Sequence, residues 1–167
     1  SAAFVENQDI PQVIPEINAA DLAQINQSKI VVSPSCAVIA AAMVLKPIHD
    51  EVGISRLHLS TYQSVSTAGQ KGITTLAGQT AKLLNAKPIE PDFFPAQIAF
   101  NCIPLVGERL ANGFSQDEVL LVQQIQRVFT DPEMLISPTC VIVPVFHGLG
   151  ASVHLETRYP LEINEIT

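Results

Sequence analysis

Between Ile30 and Gln63 the apolar pattern changes period twice, and few architectures accommodate that. Ile30-Val-Val32 reads as a short strand, broken by Ser33-Pro-Ser35. From Ala37 to Val52 the apolar residues recur at helical spacing, with Val38, Ala41, Val44, Leu45 and Ile48 on one face and Gly53 as the stop. Pro47 is expected to kink this helix or to sit near its last turns. Ser55-Arg-Leu-His-Leu-Ser-Thr-Tyr-Gln63 then alternates as a strand, with Leu57, Leu59 and Thr61 on one face and Arg56, His58, Ser60 and Tyr62 on the other.

Cys36 stands at the first of these junctions. The backbone N–H groups of a helix's first turn lack intrahelical partners and, with the macrodipole, favour a negative charge, so the position makes Cys36 a candidate nucleophile. The competing reading is a small buried hydrophobe, because free cysteine is among the most buried residue types.

Elsewhere the pattern is less regular. Ser1 to Asn26 is polar and proline-punctuated, with an extended piece at Gln12-Val-Ile-Pro-Glu16 and Asp21 as the cap of a short helical turn. Ser66-Thr-Ala-Gly-Gln-Lys-Gly72 reads as a flexible loop of small residues, followed by a helix from about Ile73 to Asn85. A strand is expected over Gln97 to Ile103, and a helix from Ser115 to Phe129 with an acidic first turn. Two strands, Thr139 to Phe146 and Ser152 to Arg158, are expected to be joined by a turn around Gly148 and Gly150. The order predicts an α+β fold, a two-layer α/β-type arrangement of a mixed β-sheet with helices on one face.

Hydrophobic residues make up 47% of the 167 and charged ones 15%, which excludes a disordered chain. A formal net charge of −7 with no basic cluster argues against nucleic acid and anionic membrane as partners. The run Ala37 to Leu45 is too short to span a membrane, and no basic segment followed by an apolar one opens the sequence. Cys36, Cys102 and Cys140 are odd in number and show no CxxC spacing, so neither a disulfide framework nor a metal site is expected, and a cytoplasmic setting fits. Cys102 and Cys140 read as strand-core residues, and His49, His58 and His154 as structural. No glycine fingerprint for phosphate occurs, so a dinucleotide would need protein outside this sequence.

The blocks Val13-Ile-Pro-Glu-Ile-Asn18, Ser33-Pro-Ser-Cys36, Leu45-Lys-Pro-Ile-His-Asp50, Ser60-Thr-Tyr-Gln-Ser-Val-Ser66 with Ala68-Gly69, Ala99-Phe-Asn101 with Pro104, and Val143-Pro-Val145 with Glu156-Thr157 stand in this order along the chain. Together they resemble the aspartate-semialdehyde dehydrogenase family. Ala77-Gly-Gln79 with Ala81-Lys-Leu-Leu-Asn85 looks closest to the usg-type paralogues. The resemblance implies that residues 1–29 are the end of a preceding nucleotide-binding domain and its linker. Residues 30–167 would then be a catalytic and dimerisation domain, incomplete at its C-terminus.

It further implies a cytoplasmic, homodimeric oxidoreductase of amino-acid biosynthesis that uses NADP, held mainly by a domain outside this chain, on a small aldehyde or acyl-phosphate substrate. In such proteins the cysteine matching Cys36 attacks the aldehyde, a hydride leaves to NADP, and phosphate releases the resulting thioester. Gln63 would orient the covalent intermediate, and Ser66, Ala68 and Gly69 would lie near the nicotinamide, with Thr67 in place of the usual glycine. Asp117 would be a surviving substrate-binding acid. Where the family carries a substrate-clamping arginine, a base histidine and a phosphate-binding lysine, this chain has Ile142, Leu149 and Leu120.

His147 lies two residues before Leu149, so in an extended segment the two would share a face about 6–7 Å apart, making His147 a candidate displaced base. The expectation is therefore a protein weak or inactive on aspartate semialdehyde. The alternative is a catalytically silent dimerisation or scaffold module, and a generic cysteine hydrolase is a third, weaker reading.

Overall fold

The computed structural model describes residues 7, 9–25, 29–91 and 93–161. Asn26, at the end of the polar N-terminal stretch, lies outside them. The chain divides into two compact units. The first comprises the chain up to Leu59, Glu118–Pro138 and the chain from Val153 on; the second comprises Ser60–Asp117 and Thr139–Ser152.

The named elements are α1 (Pro15–Asn18), α2 (Cys36–Val52), β1 (Ile54–Gln63), α3 (Gly69–Leu84), α4 (Gln116–Phe129), β2 (Leu135–Ile142) and β3 (Leu149–Thr157), with 3-10 turns at Ala19–Gln24 and Val65–Ala68. The strands form one three-stranded mixed sheet in the order β2-β1-β3. Beyond Gln63 the bonds Val143 N to Gln63 O, Val65 N to Val145 O and Ser66 N to Phe146 O advance in the same sense along both segments, so β1 and β2 run parallel. The pairs Arg56–Glu156 and His58–His154 advance in opposite senses, so β3 runs antiparallel to β1. The expected hairpin of the last two strands is therefore not formed, because β1 lies between them. Alternation identifies strands but is silent about neighbours, and the long connection through α3 and α4 is what a parallel pair requires.

In the first unit, α2 buries Val38, Ala41, Ala42, Leu45 and Val52. Val44, assigned to that face, is 67% exposed, because at 3.6 residues per turn it lies about 120° round the helix from Val38. Pro47 lies inside the helix, on its exposed side, where the carbonyl of Met43, deprived of its usual donor, can be solvated. On β1, Leu57 and Leu59 are buried and Arg56 and His58 exposed, as the alternation requires. Ile125, Val128 and Met134 join that core.

Three predicted elements are not formed as expected. Only Val32 of Ile30–Val32 is in a ladder position, a single parallel bridge to Gln12. Residues Gln97–Ile103 form no strand; Ile103 alone bridges Ile142, while Asn101 Nδ2 donates to Gln97 O at 2.8 Å and Gln97 Nε2 to Ala99 O at 2.8 Å. Side-chain amides there give the backbone local partners that compete with a ladder. Asp21 is not a cap. It lies within the 3-10 turn and accepts from Asn18 Nδ2 at 2.8 Å. No helix among the described residues is long and apolar enough to cross a membrane.

The end of α2 is fixed by a polar clasp. Gly53, at φ +66, donates to His49 O, and the Arg158 N–H donates to Gly53 O at 2.8 Å. A Cβ at Gly53 would stand 3.0 Å from Arg158 Cδ. Arg158 Nη2 meets Asp131 Oδ2 at 2.6 Å, and His49 Nε2 lies 3.8 Å from the same oxygen. His49 Nδ1 accepts from Ile54 N at 3.2 Å, and its ring packs edge-on to Phe129 at 5.2 Å.

Burial lowers the His49 pKa below its ordinary value; Asp131 and Asp50 oppose the shift, while Lys46 and Arg158 reinforce it. The unfolded chain therefore takes up a proton at this residue at higher pH than the folded one does. Stability from this group is intact above pH 6.5 and is lost progressively as the pH falls through that value toward the lowered folded pKa. Denaturant titrations from pH 7.5 to 5 should show the loss, and the difference between wild type and His49→Gln should isolate it. A difference independent of pH would remove His49 as its source.

Candidate active site

The nucleophile candidate belongs to the first unit. Pro34 is buried, Ser35 is extended at φ −63 and ψ 154, and the helix starts at Cys36, whose side chain is exposed. Ser35 is the N-cap, its Oγ accepting from Val38 N at 3.4 Å. Its own N–H donates to Oε1 of the buried Gln124 at 2.8 Å, so α4 holds the start of α2. Gln124 was not identified from sequence, where an amide on a helix face carries no signal.

The other candidates belong to the second unit, and two of them meet there. Gln63, the last residue of β1, is buried, and its Nε2 lies 3.5 Å from Oδ2 of Asp117 in the first turn of α4. Asp117 N reaches Val106 O at 3.4 Å, and Gln116 N donates to Glu108 O at 2.8 Å. Between them Gly107 sits at φ +76, where a Cβ would come within 3.2 Å of Gln116 Cβ and 3.5 Å of Asp117 Oδ1. Gly107 is a second residue the sequence reading missed.

Ser66–Gly72 is not a flexible loop. Val65–Ala68 is a 3-10 turn, and α3 begins at Gly69, four residues earlier than expected. Ser66 N donates to Phe146 O at 3.2 Å, the Ser64 and Ser66 hydroxyls lie 2.8 Å apart, and Thr67 Oγ1 donates to Ser64 O at 2.8 Å. Gly69 is exposed at φ +73, and a Cβ there would meet nothing within 4 Å. A Cβ at Gly72 would lie 2.2 Å from Val65 O, so this glycine is what lets α3 pack against the turn.

His147 is exposed, one residue beyond Phe146, whose carbonyl pairs with Ser66. Bends at residues 144, 146 and 147 break the extended course that would have put His147 and Leu149 on one face. Ile142 is buried and exchanges two 2.9 Å backbone bonds with Ile103; Leu149 opens β3 half-buried. Cys140 is buried in β2 as expected, but Cys102 is exposed, because no strand forms around it. Among the described residues no group of three or more His, Cys, Asp or Glu side chains could hold a metal ion.

Residues 45–167 match the family model described as semialdehyde dehydrogenase, dimerisation domain. The chain belongs to the semialdehyde dehydrogenase family. It is 47% identical over 163 residues to an aspartate-semialdehyde dehydrogenase of Vibrio mimicus, covering 98% of this chain and 52% of that protein. A Shewanella violacea aspartate-semialdehyde dehydrogenase is 41% identical over 166 residues, covering 99% of this chain and 49% of that protein. The crystal structure of aspartate semialdehyde dehydrogenase II from Vibrio cholerae superposes with a TM-score of 0.94 at 47% identity, covering 98% of this chain and 49% of that one. This semialdehyde dehydrogenase family member thus spans about half the length of the relatives it matches.

Gly72→Ala should destabilise the fold by about 1–3 kcal/mol, the usual cost of overpacking, as read by chemical denaturation. Gly78→Ala, inside the same helix and facing open space, should instead stabilise it by about 0.5–1 kcal/mol. Equal effects of the two changes would contradict the packing role given to Gly72.

Proposed function

We propose that this chain is the catalytic and dimerisation part of an aspartate-semialdehyde dehydrogenase-like protein, forms thioesters on Cys36, and is weak on aspartate semialdehyde itself. The observation that carries this reading is the presence of Cys36, exposed as the first residue of a capped helix, in a chain that aligns over 98% of its length with aspartate-semialdehyde dehydrogenases. Residues 1–29 are assigned to the end of a nucleotide-binding domain and its linker, and 30–167 to the catalytic part.

The Cys36 thiolate adds to the carbonyl carbon of the aldehyde, favoured by the unpaired N–H groups of the α2 first turn. Gln63 is assigned to hold the covalent intermediate through its amide, which Asp117 steadies at 3.5 Å. His147 is assigned to give and take the proton of the carbonyl oxygen. Hydride acceptance is the chemistry that NADP supplies when bound. The turn at Ser66, Ala68 and Gly69 suits one end of such a group, because its backbone is fixed by Phe146 O and Gly69 faces open space. A crystal structure of the enzyme from Candida albicans is described with NADP, but at 16% identity and a TM-score of 0.63 it speaks for the fold alone.

The substrate preference follows from the apolar residues at positions where the resemblance implies charge. A guanidinium–carboxylate contact contributes roughly 1.5–3 kcal/mol, and Ile142 supplies none of it. A structure of the Vibrio cholerae enzyme is described in complex with ASA, and by this reading the present chain binds that ligand poorly.

The half-reaction from acyl phosphate tests this without any nucleotide. Cys36 Sγ attacks the acyl carbon, an S–C bond forms, the C–O bond to phosphate breaks, and inorganic phosphate leaves. Acetyl phosphate should acetylate Cys36, as read by peptide mass spectrometry, and leave Cys102, which is also exposed, unmodified. β-Aspartyl phosphate should react at least tenfold more slowly, and Gln63→Ala should slow acetylation by about tenfold or more. Faster reaction with the aspartyl compound would overturn the altered preference.

No acylation in a folded chain would favour the silent module. One observation supports that second reading: β3 carries exposed residues throughout its centre, Val153 at 43%, as an edge strand awaiting cover would. Homodimerisation is proposed under both readings, and sedimentation at micromolar concentration should show a dimer.

A further inference from the structure

We propose that Asn112 is a site of spontaneous deamidation, gated by the tight hairpin that holds it, at which the chain acquires an aspartate or an isoaspartate as it ages. The residue stands in Leu110-Ala-Asn-Gly-Phe114, the one place in the sequence where asparagine precedes glycine. The backbone nitrogen after the asparagine is the nucleophile of this reaction, and a glycine there has no Cβ to obstruct the approach. Asn112 and Gly113 are both exposed, and a Cβ built on Gly113 would meet nothing within 4 Å, so a ring has room to form. The segment belongs to none of the strands of the three-stranded sheet.

In the first step the Gly113 nitrogen attacks Asn112 Cγ. An N–C bond forms, the Cγ–Nδ2 bond breaks, and Nδ2 leaves as ammonia, taking the proton that the Gly113 nitrogen gives up. Water then opens the cyclic imide at one of its two carbonyls, giving either aspartate or an isoaspartate whose main chain runs through Cγ and is one methylene longer. Two features of the site favour closure. Asn112 Oδ1 accepts from Phe114 N at 3.1 Å, which polarises the side-chain carbonyl and folds it back over the Gly113 peptide. Asn112 Nδ2, the leaving group, makes no hydrogen bond among the described residues. Asn18, Asn85 and Asn101 are the contrast. Their Nδ2 atoms donate at 2.8 Å to Gln12 O and Asp21 Oδ2, to Ala81 O and to Gln97 O respectively, and each is followed by a residue with a side chain.

The hairpin sets the pace. Arg109 and Ser115 form an antiparallel bridge, Leu110 N donates to Phe114 O at 2.9 Å, and Gly113 N donates to Leu110 O at 3.0 Å. That last bond engages the proton the nucleophile must lose, so closure waits for the hairpin to open locally. The extra methylene of isoaspartate then displaces Gly113 from Leu110, and the product cannot restore the bond. Through Ser115, and the bond from Gln116 N to Glu108 O, the hairpin runs directly into the first turn of α4, which carries Asp117.

Incubation of the folded chain at mildly alkaline pH, followed by peptide mass spectrometry, should show a gain of about 1 Da at Asn112 at least tenfold sooner than at Asn18, Asn85 or Asn101. Electron-transfer fragmentation distinguishes aspartate from isoaspartate in the product. Denaturant should speed the reaction at Asn112 several-fold, because it frees Gly113 N. Asn112→Ser, which keeps a side-chain acceptor for Phe114 N, should abolish the early gain and leave the circular dichroism unchanged. In the isolated isoaspartyl form, the amides of Gly113 and Gln116 should exchange hydrogen at least tenfold faster than in untreated chain. Equal rates at the four asparagines, no acceleration by denaturant, or unchanged exchange in the isoaspartyl form would overturn the proposal. None of these readouts involves Cys36, so this inference and the proposed acylation can fail separately.

Discussion

Strand β1 is the constraint on which the other elements depend. It has a neighbour on each side, β2 parallel and β3 antiparallel, and it buries Leu57, Leu59, Thr61 and Gln63 in alternation, with Ile54 buried at its start. A central strand has no free edge, so its register is set from both sides at once, and a slip of one residue would invert every side chain. That rigidity gives Gln63 a defined position. Its carbonyl is taken by Val143 N, and its side-chain amide faces Asp117.

Around the sheet, irregular backbone is satisfied by long amide side chains. Gln79 Oε1 accepts from both Ile98 N and Ala99 N, Gln124 Oε1 from Ser35 N, and Gln126 Nε2 donates to Pro132 O and Met134 O. Each stands where a ladder bond would be in a regular element, and each costs an ordering entropy that the buried backbone groups repay in hydrogen bonds. The segment around Phe100 relies on this most. Phe100 sits at φ +58, a conformation unfavourable for a bulky residue, between backbone groups that Gln79, Gln97 and Asn101 hold in place.

These amides also mark the limit of what the sequence could disclose. The periodic elements were legible: α2, β1 and α4 lie within a residue or two of their expected bounds, because their apolar spacing is a direct record of burial. Residues 97–103 carry β-branched residues as a strand does, but the side-chain amides of Gln79, Gln97 and Asn101 decide their course, and periodicity does not record that. The segment Ser66–Gly72 departs from its expected flexibility for a related reason. Its small residues suggested freedom, whereas Gly72 is small because Val65 O occupies the space a side chain would need. The pairing of Gln63 with Asp117, and of His58 with His154, depends on strand order, which periodicity does not encode.

The contrast between the acid at Asp117 and the apolar side chain of Ile142 has a physical basis in their surroundings. Leaving a charge without its partner in a partly enclosed site costs several kcal/mol, so the loss of one member of a charged set turns the others into liabilities. Asp117 escapes that fate because its surroundings supply substitutes. It stands in the first turn of α4, where the helix dipole favours an acid, and Gln63 Nε2 approaches its carboxylate. Ile142 has no such support. Its backbone is fully engaged with Ile103 and its side chain is buried, so a guanidinium at that position would have to reach out past the core to find solvent or a ligand. Isoleucine suits that buried position, whereas the acid at Asp117 has local partners that make its charge easy to keep.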